Sequence, residues 1–278
     1  MYNARGYGIK IIVSLHSYNA LKDKRDFYGQ YYGTGDFYSS SEAIGHYKDR
    51  IAHVMAHVNP HNGKTWANSP EYIFAFETQN EAMHGNVSRH RKKALNGVPT
   101  KEADATDSNT PTDKNPQESP DTLAKWQCTI ATAIKSNLQS RTDILVSTGG
   151  ASYLATSAPD AYLSCAALDI IAIHAYGVGD LTKDALIPYV QKAQKAGKKL
   201  IMQEWGMCYY NTANNNCDKG TPLSTAARDA NIKKYADSIS QAGIPWMYWQ
   251  IIPNADPHDG YDYEVSSVLL CCSICGRY

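Results

Sequence analysis

The chain has 278 residues, of which 43% are hydrophobic and 19% are charged, so it can bury a sizeable core and global disorder is not expected. Its 27 basic and 27 acidic residues cancel, which argues against a nucleic-acid partner because such proteins normally carry a basic surface. The sequence has no run of about 18 apolar residues, so no membrane span is predicted.

Short apolar runs alternate with segments of helical periodicity along the chain. We predict buried strands over six runs, at residues 8–15, 71–81, 143–148, 168–176, 198–206 and 244–252. The predicted helices cover residues 41–58, 121–138, 182–197 and 224–243. Near-continuous apolar strands separated by helices indicate an α/β fold with a parallel sheet covered by helices.

Almost every predicted strand ends in polar or aromatic side chains. These strand-end groups are His16 and Asn19, Asn80 and Glu81, His174 and Tyr176, Glu204 and Trp205, and Trp249 and Gln250. An open doubly wound sheet and a TIM (β/α)8 barrel both fit the order of elements, but no G-x-G-x-x-G turn supports a dinucleotide site in the former. In a barrel, the carboxyl ends of all strands meet at one face, where active sites lie, so the repeated endings favour the barrel.

Glu81 and Glu204 are the central candidates for chemistry. Each ends a strongly apolar strand, where an unpaired charge would be costly. Two carboxylates at the mouth of one barrel supply what glycosidic cleavage needs, a proton donor and a nucleophile or base. The chain is also rich in flat side chains with a polar edge, 20 Tyr and 5 Trp against 4 Phe, which suit sugar rings. Taken alone, either Glu could instead be a structural residue that forms a salt bridge at the end of its strand.

Four motifs in order, FETQNEAMH, IIAIHAYG, LIMQEWG and WMYWQI, resemble glycoside hydrolase family 5, the clan of retaining (β/α)8 β-glycanases. The resemblance runs from about residue 7 to residue 265 and is nearest to fungal secreted endo-β-1,4-mannanases. It implies a secreted enzyme that hydrolyses a β-1,4-linked polysaccharide, with mannan favoured, by double displacement. Two alternatives stay open: an endo-β-1,4-glucanase (cellulase) of the same family, and an inactive truncated barrel that at most binds glycan.

The resemblance also assigns roles to matching positions. Glu81 would be the general acid/base and Glu204 the nucleophile. Substrate-binding or orienting roles would fall to Asn80, His174, Tyr176, Trp249, His16, Asn19 and Trp205. Asn80 would hold the sugar 2-hydroxyl, Tyr176 would bond Glu204, and Trp249 would lie under the sugar at the cleavage point. No cofactor and no metal is implied, and the expected partner of a monomeric chain is a β-linked polysaccharide or oligosaccharide.

The chain departs from the family pattern in three places. Six of the eight barrel strands are predicted, and residues 8–15 would be the third, so we expect a barrel without strands 1 and 2 and no signal peptide in this sequence. Within the barrel region, residues 1–265, the segment 86–120 lacks periodicity and is expected to be a disordered insertion. Residues 266–278 are expected to form an aberrant or unstructured tail. Both segments begin near a Val-Ser pair, which GTGAGT, a common intron donor sequence, can encode, and we hypothesise that both are translated introns.

Seven cysteines favour an oxidising compartment. Cys208 and Cys217 bracket a short polar loop and could close it as a disulfide, and Cys128 and Cys165 are a second possible pair. The other three lie in the C-terminal run CCSIC. Because no matching Cys or His pair occurs elsewhere, a metal site is not predicted there.

Overall fold

The computed structural model of the protein describes residues 1–83, 120–139, 141–151, 153–217, 220–252 and 263–266. Its centre is a parallel sheet of five strands whose spatial order follows the chain. The strands are Ile11–Ser14 (β1), Ile73–Asn80 (β2), Leu145–Gly149 (β3), Ile170–His174 (β4) and Lys199–Glu204 (β5). Two small ladders pair Tyr210–Asn211 (β6) with Thr221–Pro222 (β7), and Ile251–Ile252 (β8) with Val265–Ser266 (β9).

The sheet is curled. Glu77 of β2 and Gln203 of β5 are hydrogen-bonded to each other although β3 and β4 lie between their strands. A flat sheet would hold these side chains about 14 Å apart, since neighbouring strands are spaced by about 4.8 Å. The sequential strand order also rules out the doubly wound alternative, in which the order reverses at a switch point. The five strands therefore form part of a TIM barrel, as the sequence predicts.

Helices follow the strands along the chain. They are Tyr2–Gly6 (α1), Tyr18–Lys22 (α2), Phe27–Tyr31 (α3), Gly33–Ser39 (α4), Ser41–Ala56 (α5), Pro120–Asn137 (α6), Leu154–Ser157 (α7), Asp160–Leu163 (α8), Lys183–Lys195 (α9) and Thr225–Gln241 (α10). The hydroxyls of Ser40, Thr182 and Ser224 cap α5, α9 and α10, each accepting from the backbone N–H three residues later. The four long helices predicted from the sequence are thus confirmed, with ends within a few residues of those predicted.

The core lies between the sheet and the helices. Trp126 of α6 is 1% exposed and stacks on Tyr47 of α5, with ring centroids 5.8 Å apart. A disulfide between Cys128 and Cys165 ties α6 to the segment before β4, and a second joins Cys208 to Cys217. Both predicted pairs are therefore confirmed. Among the described helices, none is long and apolar enough to cross a membrane.

The predicted strand at 244–252 does not continue the sheet as a regular strand. Trp246 makes an isolated parallel bridge to Met202 of β5, and further along Trp249 N donates to Trp205 O at 2.9 Å. Pro245 has no N–H to give to a ladder, although its carbonyl accepts from Met202 N. The segment therefore lies beside β5 but pairs with it only at intervals, and the prediction of a regular sixth strand was wrong.

Two predicted segments fall outside the described residues. The insertion at 86–120 does so except for Pro120, which begins α6, and the tail at 266–278 does so except for Ser266 in β9. The CCSIC run lies in that tail. The domain boundaries and the intron hypothesis accordingly stay predictions.

Candidate active site

Three predicted site residues meet at the carboxyl ends of β2, β4 and β5. Glu81 directly follows β2, His174 ends β4 and Glu204 ends β5. Nδ1 of His174 lies 3.2 Å from Oε1 of Glu81 and 3.4 Å from Oε2 of Glu204. One carboxylate oxygen of Glu81 and one of Glu204 lie within 4.8 Å of each other. The two Glu side chains are 17% and 19% exposed, so both remain accessible to a ligand.

The same three residues are spaced so that they could hold a metal ion, because one ligand atom of each lies within 4.8 Å of the other two. A carboxylate–imidazole–carboxylate set suits several divalent cations. Nδ1 of His174 is already hydrogen-bonded to Glu81 and lies 3.4 Å from Oε2 of Glu204. That the site works without a metal stays a prediction.

Two glycines at the end of β3 allow this convergence. Glu81 N donates to Gly149 O at 2.9 Å, and the Glu81 backbone is left-handed, with φ of 52°. A Cβ on Gly149 would lie 1.8 Å from the Gln79 carbonyl oxygen. A Cβ on Gly150 would lie 2.2 Å from the His174 ring. Both positions therefore require glycine, a local demand that sequence reasoning missed although the Gly-Gly pair was visible.

Tyr176 holds one of the two carboxylates. Its hydroxyl donates to Oε2 of Glu204 at 2.8 Å. Burial raises the pKa of Tyr176 far above its usual range, so the hydroxyl keeps its proton and acts as a donor. Burial also raises the pKa of Glu204, an effect that His174 and the Tyr176 hydrogen bond reduce and the charge of Glu81 increases.

Two other predicted residues border the same carboxylates. Asn80 is the last residue of β2, is partly exposed, and directly precedes Glu81. Trp249 is half-buried and meets the Tyr176 ring edge-on, with centroids 6.4 Å apart. Asn19 lies exposed on α2, two residues after Ser17, which forms a bridge with Asn80. The structure thus places Asn80 next to Glu81 and Trp249 next to Tyr176, and a sugar contact of Asn19 stays a prediction.

The structure places His16 away from direct sugar contact. Its side chain is 3% exposed. Its Nε2 lies 2.6 Å from Oδ2 of Asp26, and its Nδ1 lies 2.9 Å from Nε2 of Gln79. Because both ring nitrogens already have protein partners, we withdraw the sugar-binding role and regard His16 as a support for β2.

Trp205 also differs from the expectation that it lines the cleft. It is fully buried and packs edge-on against Trp246 and Tyr248, with centroids 5.4 and 5.1 Å away. Successive side chains of a strand point to opposite faces, so the residue after Glu204 turns toward the core. Trp205 is a packing residue, and the cleft-lining role is withdrawn.

Glu77 is a third carboxyl that sequence reasoning missed. It lies on β2, four residues before Glu81, and is fully buried. It accepts hydrogen bonds from Ser14 Oγ at 2.7 Å and from Gln203 Nε2 at 2.5 Å. Burial raises its pKa, more than these hydrogen bonds lower it. An ionisable residue inside an apolar strand was the available signal.

Glu77→Gln is expected to stabilise the protein at high pH only. Since the folded-state pKa of Glu77 lies above its unfolded value, ionising it in the fold costs free energy, and this cost is absent at low pH where both states are protonated. We expect the gain in the free energy of unfolding to be largest at pH 8 and to disappear toward pH 4. Urea unfolding of the wild-type protein and of Glu77→Gln at pH 4, 6 and 8 measures the difference in the free energy of unfolding. An equal change at all three values would contradict the argument.

The sequence matches the family model "Cellulase (glycosyl hydrolase family 5)" over residues 2–255. The fold is similar to an endo-1,4-beta-mannanase from Rhizomucor miehei, with a TM-score of 0.63 and 18% identity over 95% of this chain and 69% of that chain. A hyperthermostable endo-1,4-beta-D-mannanase from Thermotoga petrophila RKU-1 has a TM-score of 0.60 and 19% identity, over 95% of this chain and 73% of that chain. A glycoside hydrolase family 5 mannosidase from Rhizomucor miehei has a TM-score of 0.55 and 18% identity, over 94% of this chain and 68% of that chain. No curated protein sequence matches the chain.

Proposed function

This chain belongs to glycosyl hydrolase family 5, and from that premise we propose that it cleaves β-1,4-linked polysaccharide with retention of configuration. The observation that carries the mechanism is the separation of Glu81 and Glu204, whose nearest carboxylate oxygens lie within 4.8 Å. Retaining glycosidases hold their two carboxyl groups about 5–5.5 Å apart, whereas inverting ones leave about 6.5–9.5 Å for a water molecule. Oxygens this close are compatible with the retaining separation and, together with the family membership, support direct attack by a carboxylate.

In the proposed first step, Glu204 attacks the anomeric carbon while Glu81 gives its proton to the glycosidic oxygen. The bond from the anomeric carbon to the leaving sugar breaks as the ester to Glu204 forms. In the second step, Glu81 takes a proton from water and the resulting hydroxide attacks the same carbon. Glu204 leaves as a carboxylate and Glu81 is again protonated, so the enzyme is restored.

The neighbouring residues are assigned to orientation and binding. Tyr176 fixes one oxygen of Glu204 through the 2.8 Å hydrogen bond, which leaves the other oxygen for attack. His174 lies within reach of both carboxylates and keeps their spacing. Asn80 is assigned to the 2-hydroxyl of the sugar, and Trp249 to its apolar face.

The proposed substrate is mannan, acted on outside the cell. Two of the solved structures that share the fold are described as endo-1,4-beta-mannanases. The Cys128–Cys165 and Cys208–Cys217 disulfides suit an oxidising compartment, where polymeric glycans are met. The family description itself reads cellulase, so cellulose is the alternative that the assay must separate.

Release of reducing ends from galactomannan, glucomannan and carboxymethyl cellulose tests the proposal. We expect mannan to be cleaved at least about tenfold faster than cellulose, because a site that bonds a hydroxyl discriminates strongly against a misplaced one. Proton NMR of the first product should show the β-anomer. Faster cleavage of cellulose would establish the glucanase alternative, binding without cleavage would establish a glycan-binding barrel, and an initial α-anomer would contradict retention.

A further inference from the structure

Asn215 lies in the loop that follows β5 and belongs to no predicted motif. Its side chain amide makes three hydrogen bonds: Oδ1 accepts from Cys208 N at 2.7 Å, and Nδ2 donates to Tyr176 O at 2.7 Å and to Gly206 O at 2.8 Å. The residue is 8% exposed. We propose that Asn215 is a positioning residue that fixes the Tyr176 hydroxyl against Glu204. The inference rests on the proposed function of that pair.

The amide continues the sheet where the backbone ladder stops. The last backbone hydrogen bond between β4 and β5 at this end runs from Ala175 N to Glu204 O, at 3.0 Å. Just beyond it, the carbonyls of Tyr176 and Gly206 approach the same point, and two acceptors cannot bond each other. A primary amide nitrogen carries two hydrogens and satisfies both, whereas a hydroxyl has one and a carboxylate has none. Asparagine is therefore chemically specific at this place.

The loop holds the amide rigidly. The Cys208–Cys217 disulfide spans Asn215, and Tyr263 donates its hydroxyl to Asn215 O at 2.8 Å. Asn215 has a left-handed φ of 60°, a conformation that Asn tolerates better than most residues. Cys208, Cys217 and Tyr263 form a buried cluster against which the Tyr176 and Trp249 side chains pack. Asn215 thus connects this cluster to the strand ends.

The connection reaches Glu204 from two sides. Asn215 holds the backbone of Tyr176, whose hydroxyl bonds Glu204, and the backbone of Gly206, two residues after Glu204. The charged and titratable groups that act on Glu204 are His174, Tyr176, Glu81 and the buried Glu77. Of these, Asn215 contacts Tyr176 alone. Loss of the Tyr176 hydrogen bond should raise the pKa of Glu204 further, since that bond lowers it.

A double-mutant cycle with Asn215→Gly and Tyr176→Phe tests the proposal. Glycine removes the amide and accepts the left-handed backbone, so loss of the side chain is separated from backbone strain. We expect Asn215→Gly to lower kcat/KM on a manno-oligosaccharide about tenfold, within the hundredfold that a misplaced group can cost, and to move the acidic limb of the pH profile to higher pH. In the Tyr176→Phe background, Asn215→Gly should lower kcat/KM by less than about twofold, because the hydroxyl that Asn215 positions is already absent. Equal losses in both backgrounds would overturn the inference.

The neighbouring Asn214 gives a matched control, because it has φ of 51° but is exposed. Asn214→Gly should leave kcat/KM and its pH profile unchanged. If Asn215→Gly does not fold, as judged by near-ultraviolet circular dichroism, Asn215→Asp replaces it and turns both donors into acceptors. Titration of the Glu204 carboxyl by ¹³C NMR provides a readout without turnover. A raised pKa in the Asn215 variant supports the inference even if no glycan is cleaved, and an unchanged one overturns it.

Discussion

Glu204→Gln is expected to lower kcat on mannan by about 10⁴-fold or more, within the range seen when a nucleophile is removed from a covalent mechanism. The amide cannot form the glycosyl ester, while it keeps the size of the side chain and can still accept from the Tyr176 hydroxyl at the position 2.8 Å away. KM should change little because binding residues are untouched. Initial rates on mannohexaose, with product formation followed over hours, measure the loss.

Two comparisons make this result specific. Glu71→Gln alters a carboxylate just before β2, at the opposite end of that strand from Glu81, and should keep full activity. Glu204→Ala with added azide should convert an activated β-glycoside to the α-glycosyl azide, since azide then attacks from the side that Glu204 occupied. Retention of more than a tenth of the activity in Glu204→Gln would remove Glu204 from the role of nucleophile.

The parts of the fold that the sequence predicted are those in which local pattern and tertiary packing agree. The run at 71–81 contains the observed β2, Ile73–Asn80, because its apolar first half, IFAF, has the composition of a buried strand. The helices α5 and α10 were predicted because apolar residues recur at helical spacing where one helix face packs on the core. The segment at 244–252 has the same apolar character, but its backbone bonds to β5 only around Trp246 and again at Trp249. An apolar run indicates burial, whereas continuous pairing depends on the backbone path, which composition does not fix.

The candidate site divides in the same way. Glu81, His174 and Glu204 were predicted because barrel strands end at one face, a rule that needs no coordinates. His16 and Trp205 were assigned to the ligand because strand ends alone do not say which way a side chain points; a shift of one residue reverses the face. The role of Asn215 could not be predicted, because its amide joins the nearby Gly206 to Tyr176, which lies 39 residues earlier in the chain and meets it only in the folded protein.

Glu81→Gly is expected to separate the two steps of the reaction. On mannan, kcat should fall by about 10²- to 10⁴-fold, the usual contribution of a general acid/base. Glycine suits this position because the Glu81 backbone has φ of 52°. A dinitrophenyl β-mannobioside needs no proton to leave, so its first step should stay fast and the ester on Glu204 should accumulate, visible as a burst of dinitrophenol and as a mass increase of the intact protein.

The configuration of the azide product then distinguishes the two carboxylates. With Glu81→Gly, azide enters where water would be activated and attacks the ester on Glu204, so the product should be the β-glycosyl azide. With Glu204→Ala, the expected product is the α-glycosyl azide, because only one displacement occurs. If Glu81→Gly gave the α-glycosyl azide and Glu204→Ala the β-glycosyl azide, Glu81 would be the nucleophile and Glu204 the acid/base. A loss below tenfold on mannan in Glu81→Gly, with no burst on the activated substrate, would show that the oxygens within 4.8 Å of each other do not act as an acid/base and nucleophile pair.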